Sequence, residues 1–501
     1  MKILLANPPA YLYNDSRHFI QAGSRWSFSM IDCPKDKHYR EHYLPYPFFL
    51  GYASSLLKRE LSDEVKIRAV DFCALDCDEK EFLNFTLMFK PDIIVTEIPT
   101  LSFPLFMKTL AQVKEKLPYV KIFVAGPHIS ALYNEVLQVY NFIDVALIGE
   151  YEVTLLNIIK ILVKKGELLP RDLGRVRGVA FKLDNNRTFF TGRMRILNLD
   201  ELPFPDREDF DIKLYHDFEI TGKPTIQMLA SRGCPFNCSF CISRHVIYNN
   251  SYYVIQDLVK ILEEMNYVKY KLKAKQVYFD DETMVANKKF IRKFCQLIIK
   301  EKLDLPWACM GDVTLDYDTL KLMTKAGCVG IKFGVETISS KALNMVHKSF
   351  INVSRVIKFR EWCRRLGLWT HATYMIGLPG DTIDGILATI KFSLKLNTES
   401  AQFSIATPFP GTPFFELCKH NNWLITYDWT MYDGANFAVV SYPCLPKEII
   451  EALHKFVNKT WEQHMLWRAV RDPNYAIRAL KGRSPRYIVH RVTTALKRSL
   501  R

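Results

Sequence analysis

Glycine and proline are not abundant in this chain, at 21 and 24 of 501 residues, and no low-complexity tract interrupts it. Fibrous and wholly disordered structure are excluded on that ground. Long hydrophobic runs are missing too, so no segment is expected to span a bilayer. The opening Met1-Lys2-Ile3-Leu4-Leu5-Ala6-Asn7-Pro8-Pro9 holds an apolar stretch too short for a signal peptide, and the Pro-Pro pair ends it. It is expected to be a first buried strand with its turn, in a cytoplasmic protein. Apolar residues make up 49% of the chain, enough for two or three domains with separate cores.

Positive charge and cysteine are present in excess. Lys and Arg number 68 against 53 Asp and Glu, a formal net charge of +15. Nine of the 12 cysteines are scattered, mostly within apolar runs. They are expected to be small buried hydrophobes rather than disulfide partners in a reducing compartment. The other three stand together.

The first third alternates strands, expected at 2–6, 65–72, 92–97, 120–125 and 144–148, with helices at 47–60, 105–115 and 153–164. Such alternation implies a parallel, doubly wound, Rossmann-like sheet with ligands beyond the C-terminal strand ends. Residues 178–182 and 188–191 read as a hairpin, and Leu202-Pro203-Phe204-Pro205 as an extended linker. A second series places strands at 225–230, 276–279, 307–310, 330–334, 370–376 and 402–406, with helices between them. Six βα units imply an open, partial barrel rather than the closed eight-unit form. The expected division is 1–165, a Rossmann-like α/β domain; 166–223, a linker with its hairpin; 224–415, a (βα)6 partial TIM barrel; and 416–501, a helical C-terminal region with a basic tail.

Ser231-Arg232-Gly233-Cys234-Pro235-Phe236-Asn237-Cys238-Ser239-Phe240-Cys241 closes the first barrel strand, so the cysteines stand as C-x3-C-x2-C. The same spacing aligns on a helix face, but Gly233 and Pro235 make the segment a loop. Zinc normally takes four protein ligands and paired C-x2-C motifs, and no second pair exists. Three thiolates on a loop suit an iron–sulfur cluster. With three cysteines, one iron of a four-iron cluster stays open.

These residues resemble the signature of the radical S-adenosylmethionine (SAM) enzymes, and the resemblance implies a [4Fe-4S] cluster on Cys234, Cys238 and Cys241 that binds and cleaves SAM. It continues along the barrel. Phe279-Asp280-Asp281-Glu282 ends the second strand, where the family places groups facing the methionine amine of SAM; Asp281 also reads as a helix N-cap. Gly334-Val335-Glu336-Thr337 resembles the Gly-x-Glu-Ser element near the SAM ribose, and Gly377-Leu378-Pro379-Gly380 the Gly-x-Pro-Gly turn, with Asp381 or Thr382 as a plain helix cap. Phe240, Asp280, Asp281, Glu336, Gly377, Pro379 and Gly380 are the implied SAM-binding residues. Pro408-Phe409-Pro410-Gly411-Thr412 matches the turn after strand six. One departure is Asp312, where relatives commonly have an Arg.

The first domain resembles the cobalamin-binding domain that precedes the barrel in one subgroup of that family. The matching stretches are Asn7-Pro8-Pro9, Ala22-Gly23-Ser24-Arg25-Trp26, Gly126-Pro127-His128 and Gly149-Glu150-Tyr151-Glu152. The resemblance implies cobalamin contacts at Asn7, Pro8, Thr96, Thr100, Gly126, Pro127, His128, Gly149 and Glu150. Asp36-Lys37-His38-Tyr39-Arg40-Glu41 falls short of the Asp-x-His-x-x-Gly motif that ligates cobalt from below, so no histidine ligand is expected.

Residues 468–501 carry ten Lys or Arg and one acid, Asp472, with Ile488, Val492, Leu496 and Leu500 on one helical face. A solvated or self-docked tail, a membrane-surface helix and a nucleic-acid contact all suit that pattern. Nucleic acid is disfavoured, because the domains expected of RNA-modifying relatives are not visible. The resemblance implies an enzyme that methylates an unactivated carbon of a small-molecule or lipid-like substrate. It would act through methylcobalamin and a 5′-deoxyadenosyl radical, with electrons from a donor such as flavodoxin or ferredoxin. The alternatives are an oxidative cyclase or rearrangement enzyme without methyl transfer, and a non-catalytic cobalamin or redox sensor. No residue is assigned to substrate chemistry, and the site is expected in a cytoplasmic protein, in contact with a membrane surface if the tail binds one.

Overall fold

The computed structural model describes residues 1–10, 44–184, 187–215, 217–249 and 253–480. The first sheet contains β1 (Lys2–Asn7), β2 (Lys66–Asp71), β3 (Ile93–Glu97), β4 (Lys121–Ala125), β5 (Val145–Leu147), β6 (Val179–Asp184) and β7 (Arg187–Phe190), in the order β2-β1-β3-β4-β5-β6-β7. Strands β1 to β5 run parallel. Every residue of β3 is buried, because helices cover both faces. The strand order reverses between β1 and β3, which opens a crevice at their C-terminal ends, beside Asn7 and Glu97.

Two helices of this domain were not expected. Glu79–Phe89 begins with a capping box between Asp78 and Glu81. Pro127–Val139 begins with Pro at its first turn, directly after Gly126. Its Gly-Pro start reads locally as a turn, which hides the helix. The hairpin β6–β7, expected in the linker, pairs antiparallel with β5 and extends the first sheet.

The chain then passes into β8 (Thr225–Met228) and a short antiparallel pair, β9 (Ser231–Gly233) with β10 (Tyr253–Ile255). The second sheet continues through β11 (Gln276–Phe279), β12 (Trp307–Gly311), β13 (Cys328–Glu336), β14 (Trp369–Ile376) and β15 (Ser400–Ile405). Its six strands, β8 and β11 to β15, are parallel and lie in strict sequence order. Each unit therefore adds to the same edge, and the result is an open half-barrel. Along β13 the pattern alternates: Ile331, Phe333 and Val335 are buried, while Lys332 and Gly334 are partly exposed.

Segment 217–221 closes the N-terminal floor of this barrel. The Gln276 amide accepts from the backbone of Ile220 and Thr221 and donates to Phe218 O, and Lys332 pairs with Asp217. Helix Lys447–Arg471 covers the outer edge, where Trp461 packs on Phe403 and His454 bonds Phe403 O. Residues 421–446, in the region expected to be helical, carry only the 3-10 turn Trp429–Met431 and isolated bridges such as Leu424 with Val440. Arg468, taken from sequence as the start of the basic tail, is docked: it donates to Asn397 O and Thr398 O. Among the described residues no helix is long and apolar enough to cross a membrane.

Gly126 shows how tightly the strand ends are built. Its φ is +98°, and a Cβ there would lie 2.6 Å from Ile98 N. Gly126→Ala is expected to destabilise the protein by about 2 kcal/mol or more, read as a lower midpoint in urea unfolding.

Candidate functional site: the cysteine loop and the facing strand ends

The three cysteines leave β9 on a loop that the protein fixes through its backbone. Arg244 donates to Cys234 O at 2.8 Å and to Asn237 Oδ1 at 2.9 Å, and His245 Nε2 meets Cys238 O at 3.0 Å. Ser239 N donates to Val346 O, and Phe236 stacks on Phe350 at 4.3 Å. With the carbonyls engaged in this way, the thiols remain available.

Burial raises the Cys234 thiol strongly and pushes Cys241 up to about 12; Cys238 rises for the same reason. Backbone hydrogen bonds from Phe236 and Arg244 act in the opposite direction. Binding a metal centre here therefore means releasing protons from half-buried thiols. Three thiols on one loop fit a cluster that takes one thiolate per iron.

Glu336 ends β13 with φ +63°, where the register against β14 shifts. Its carboxylate pairs with Lys348, both side chains being at most 10% exposed. Gly334 makes room for the pair, since a Cβ there would fall 2.1 Å from Glu336 Oε1. Burial alone would lower the Lys348 pKa; the charges of Glu336 and Cys238 outweigh it and hold the ammonium. The same ammonium lies 5.9 Å from the Phe240 ring. Lys348 was missed in the sequence. It is 12 positions past Glu336 and has no motif of its own; the chain returns it to the cysteines only after helix Ser340–Met345.

The other residues expected at the SAM site divide into two groups. Asp281 is not a helix cap: it accepts from Ala230 N and Ser231 Oγ, which ties β8 to β9, and the helix beyond is capped by Asn287. Asp280 is buried beside it, and Glu282 accepts from Gly233 N at 3.1 Å, next to Cys234. Gly377, Pro379 and Gly380 form a turn wedged between other elements. A Cβ on Gly377 would meet Ile450 at 2.9 Å, and one on Gly380 would meet Met345 Sδ at 2.7 Å. Thr382 caps the following helix, while Asp381 accepts from Leu378 N and is pushed by burial up to about 7. Asp312 is occupied locally by Thr283 and Thr314. The cations beside the loop are Lys348 and Arg244.

All the residues expected to contact cobalamin lie at the ends of β1, β3, β4 and β5, and all are buried. Asn7 Oδ1 accepts from Glu97 N at 3.3 Å, and Pro8 O accepts from the Cys73 thiol. His128 Nδ1 meets Thr100 Oγ1 at 3.3 Å and its ring packs on Phe103 at 4.1 Å; burial lowers its pKa to about 3, so it is neutral. Gly126 and Pro127 start the helix described above. Gly149 approaches Ile247 O, and Glu150 is ion-paired to Arg232 at 3.0 Å. Burial pushes Glu150 up to about 7 against the pull of Arg232. Thr96 is fully buried and its hydroxyl has no partner among the described residues, so a donor remains at the end of β3. That orphan hydroxyl, at a sheet's switch point, fits a cofactor that reaches the crevice. Ala22–Trp26 and Asp36–Glu41 lie outside the described residues.

Two parallel sheets thus meet at their C-terminal ends, with a three-thiol loop between them, and this arrangement defines an iron–sulfur enzyme with a second cofactor-binding domain. The comparisons identify the parts. Residues 228–393 match the Radical SAM superfamily and residues 54–159 the B12 binding domain. An uncharacterized methyltransferase of Pyrococcus horikoshii is 29% identical over 77% of this chain and 81% of its own. An anaerobic magnesium-protoporphyrin IX monomethyl ester cyclase of Rubrivivax gelatinosus is 27% identical over 74% of this chain and 66% of its own. The structure of the cobalamin-dependent S-adenosylmethionine radical enzyme OxsB superposes with a TM-score of 0.68 over 99% of this chain and 71% of its own, at 14% identity. The chain belongs to the radical SAM enzymes that carry a B12-binding domain, and its cofactors are a [4Fe-4S] cluster, SAM and cobalamin.

Replacing any one of Cys234, Cys238 or Cys241 by Ala is expected to abolish SAM cleavage. The triple variant is expected to lose the iron of anaerobically reconstituted protein, measured by iron and sulfide assay. Full iron in the triple variant would exclude this loop as the cluster site.

Proposed function

We propose that the protein transfers a methyl group from SAM, by way of cobalamin, to a carbon that has no acidic hydrogen. The observation that carries this reading is that the flanks of the cysteine loop, at Arg232 and at Ile247, lie against Gly149, Glu150 and Glu152 beyond β5 of the B12-binding domain. Similarity to the Pyrococcus horikoshii methyltransferase supports it. When bound, the cluster supplies an electron for homolysis of SAM, and cobalamin supplies a relay for the methyl group.

The chain's residues have separate tasks in this reading. Cys234, Cys238 and Cys241 each hold one iron. The Lys348 ammonium balances thiolate charge and, with Glu336, Phe240 and Asp280, lines the SAM position. The turn at Gly377, Pro379 and Gly380 shapes its far side. Asn7, Pro8, Thr96, Thr100 and the ends of β4 and β5 receive cobalamin, Thr96 through its unmatched hydroxyl. Residues 1–165 and 224–415 act as the two cofactor domains, 166–223 adds the hairpin to the first sheet on the way between them, and helix Lys447–Arg471 closes the barrel edge. Burial around the strand ends keeps water from a carbon radical before it is methylated.

Polarity explains why both cofactors are needed. The SAM methyl is electrophilic, and a carbon radical needs a methyl radical equivalent. With methyl-deuterated SAM, the label is expected in the product, with S-adenosylhomocysteine and 5′-deoxyadenosine formed in equal amounts. A product without label, accompanied by deoxyadenosine alone, would replace this reading with oxidative cyclisation, which similarity to the Rubrivivax gelatinosus cyclase favours.

The substrate is a small molecule, and the C-terminal region brings the protein to a membrane surface. Trp467, Val470 and Ile477 are 63%, 75% and 67% exposed beside Arg471, and the basic residues after Leu480 follow at once. The protein is expected to bind anionic phosphatidylglycerol vesicles in a sedimentation assay and to release them as salt rises. Truncation after Leu480 is expected to weaken the binding. Vesicle binding that ignores both salt and truncation would refute the membrane role.

A further inference from the structure

The B12-binding domain holds the cysteine loop by both of its flanks, and from one tetrapeptide. Arg232 precedes Cys234 in β9, is 1% exposed, and places its guanidinium inside the first domain. Its Nη1 meets Glu150 Oε1 at 3.0 Å and its Nη2 meets Glu152 Oε1 at 2.7 Å. The rings of Phe49 and Tyr52, on helix Phe48–Leu61, lie 5.0 and 4.9 Å from it. On the other flank, Gly149 (φ +75°) sits so close that a Cβ would fall 2.9 Å from Ile247 O. Arg193 donates to Val246 O, and Ser130 Oγ accepts from Gly149 N at 2.9 Å. Residues 149–152, together with Arg193, therefore hold the chain both before and after the three cysteines.

The contact continues to the crevice. Tyr151 donates to Glu97 Oε1 at 2.9 Å, at the end of β3, and Glu97 N donates to Asn7 Oδ1 at the end of β1. Adhesion between two domains needs only apolar area. A desolvated guanidinium shared by two carboxylates is a costly means of adhesion, but a precise means of orientation.

We propose that Arg232, acting through Glu150 and Glu152, is a positioning residue. It fixes the cysteine loop against the ends of β1, β3 and β5 and so sets the separation of the reacting groups held by the two domains. Glu150 then serves this contact rather than cobalamin itself. The proposal rests on the reading that cobalamin occupies those strand ends.

The test uses full-length protein loaded with cluster and cobalamin. Glu152→Gln is the mild variant, Arg232→Gln the severe one and Arg232→Lys the conservative one. Iron and cobalamin contents, deoxyadenosine formation and methylation of cobalamin by SAM are measured separately. Both half-reactions are expected to stay within about twofold of the parent, while product formed per deoxyadenosine falls about tenfold or more in Glu152→Gln and Arg232→Gln. Arg232→Lys is expected to recover part of it. The magnetic interaction between cob(II)alamin and the reduced cluster, read by paramagnetic resonance, is expected to weaken in parallel. An unchanged ratio and interaction with intact contents would overturn the proposal. So would a loss of iron in step with the ratio, which would make the contact one of folding only. If the parent protein delivers no methyl label, the methyltransferase reading falls, while the magnetic interaction still decides the role of Arg232.

Discussion

One buried guanidinium belongs to both halves of this protein. Arg232 is part of the barrel by sequence and part of the B12-binding domain by its contacts, with Glu150, Glu152, Phe49 and Tyr52 around it. Leu229, Ile247 and Tyr248 follow it into the first hydrophobic core. The two domains are therefore joined through the segment that carries the cysteines, and also through Gln227 of β8, whose amide accepts from Tyr46 N and donates to Leu44 O. A hinge elsewhere would let the cofactors separate; a joint at the loop itself does not.

The electrostatics of the site follow from burial. The three half-buried thiols resist ionisation, and fixed backbone donors oppose that tendency at Cys234 and Cys241. Lys348 and Arg244 are nearby cations, and Lys348 is kept charged by Glu336 in a strained position at the end of β13. Strain at a strand end, a glycine two positions earlier and a lysine returning from the next helix form a single device. The neutral His128 and the tightly packed Gly126 and Gly149 at the strand ends opposite differ in kind, and suit a large cofactor held by close backbone approach.

The C-terminal region completes the enclosure. Its long helix covers the edge strand, and the turn Trp429–Met431 brings Trp429 against His128 at 5.2 Å. Gly411, after the last barrel strand, is pressed against Ala131 and Val246, where both domains and the cysteine segment meet. Loops from the C-terminal ends of both sheets therefore converge on one place, the geometric condition for a radical to meet its partner before water does.

The sequence by itself determined the local and the periodic. Alternation of apolar runs located all six barrel strands and the first five strands of the other sheet, since period and length need no distant partner. The cysteine spacing points to cluster chemistry without any distant partner, because a loop ligand set is contiguous. Only tertiary structure decided what depends on a return of the chain. Lys348 reaches Cys238 across more than a hundred residues, Asp281 turned from a candidate cap into a tie between β8 and β9, and the hairpin β6–β7 joined the first sheet. Glu150 found an arginine 82 positions away. Those pairings are set by how two sheets dock, and sequence pattern records which face of an element is apolar but not which element will lie against it.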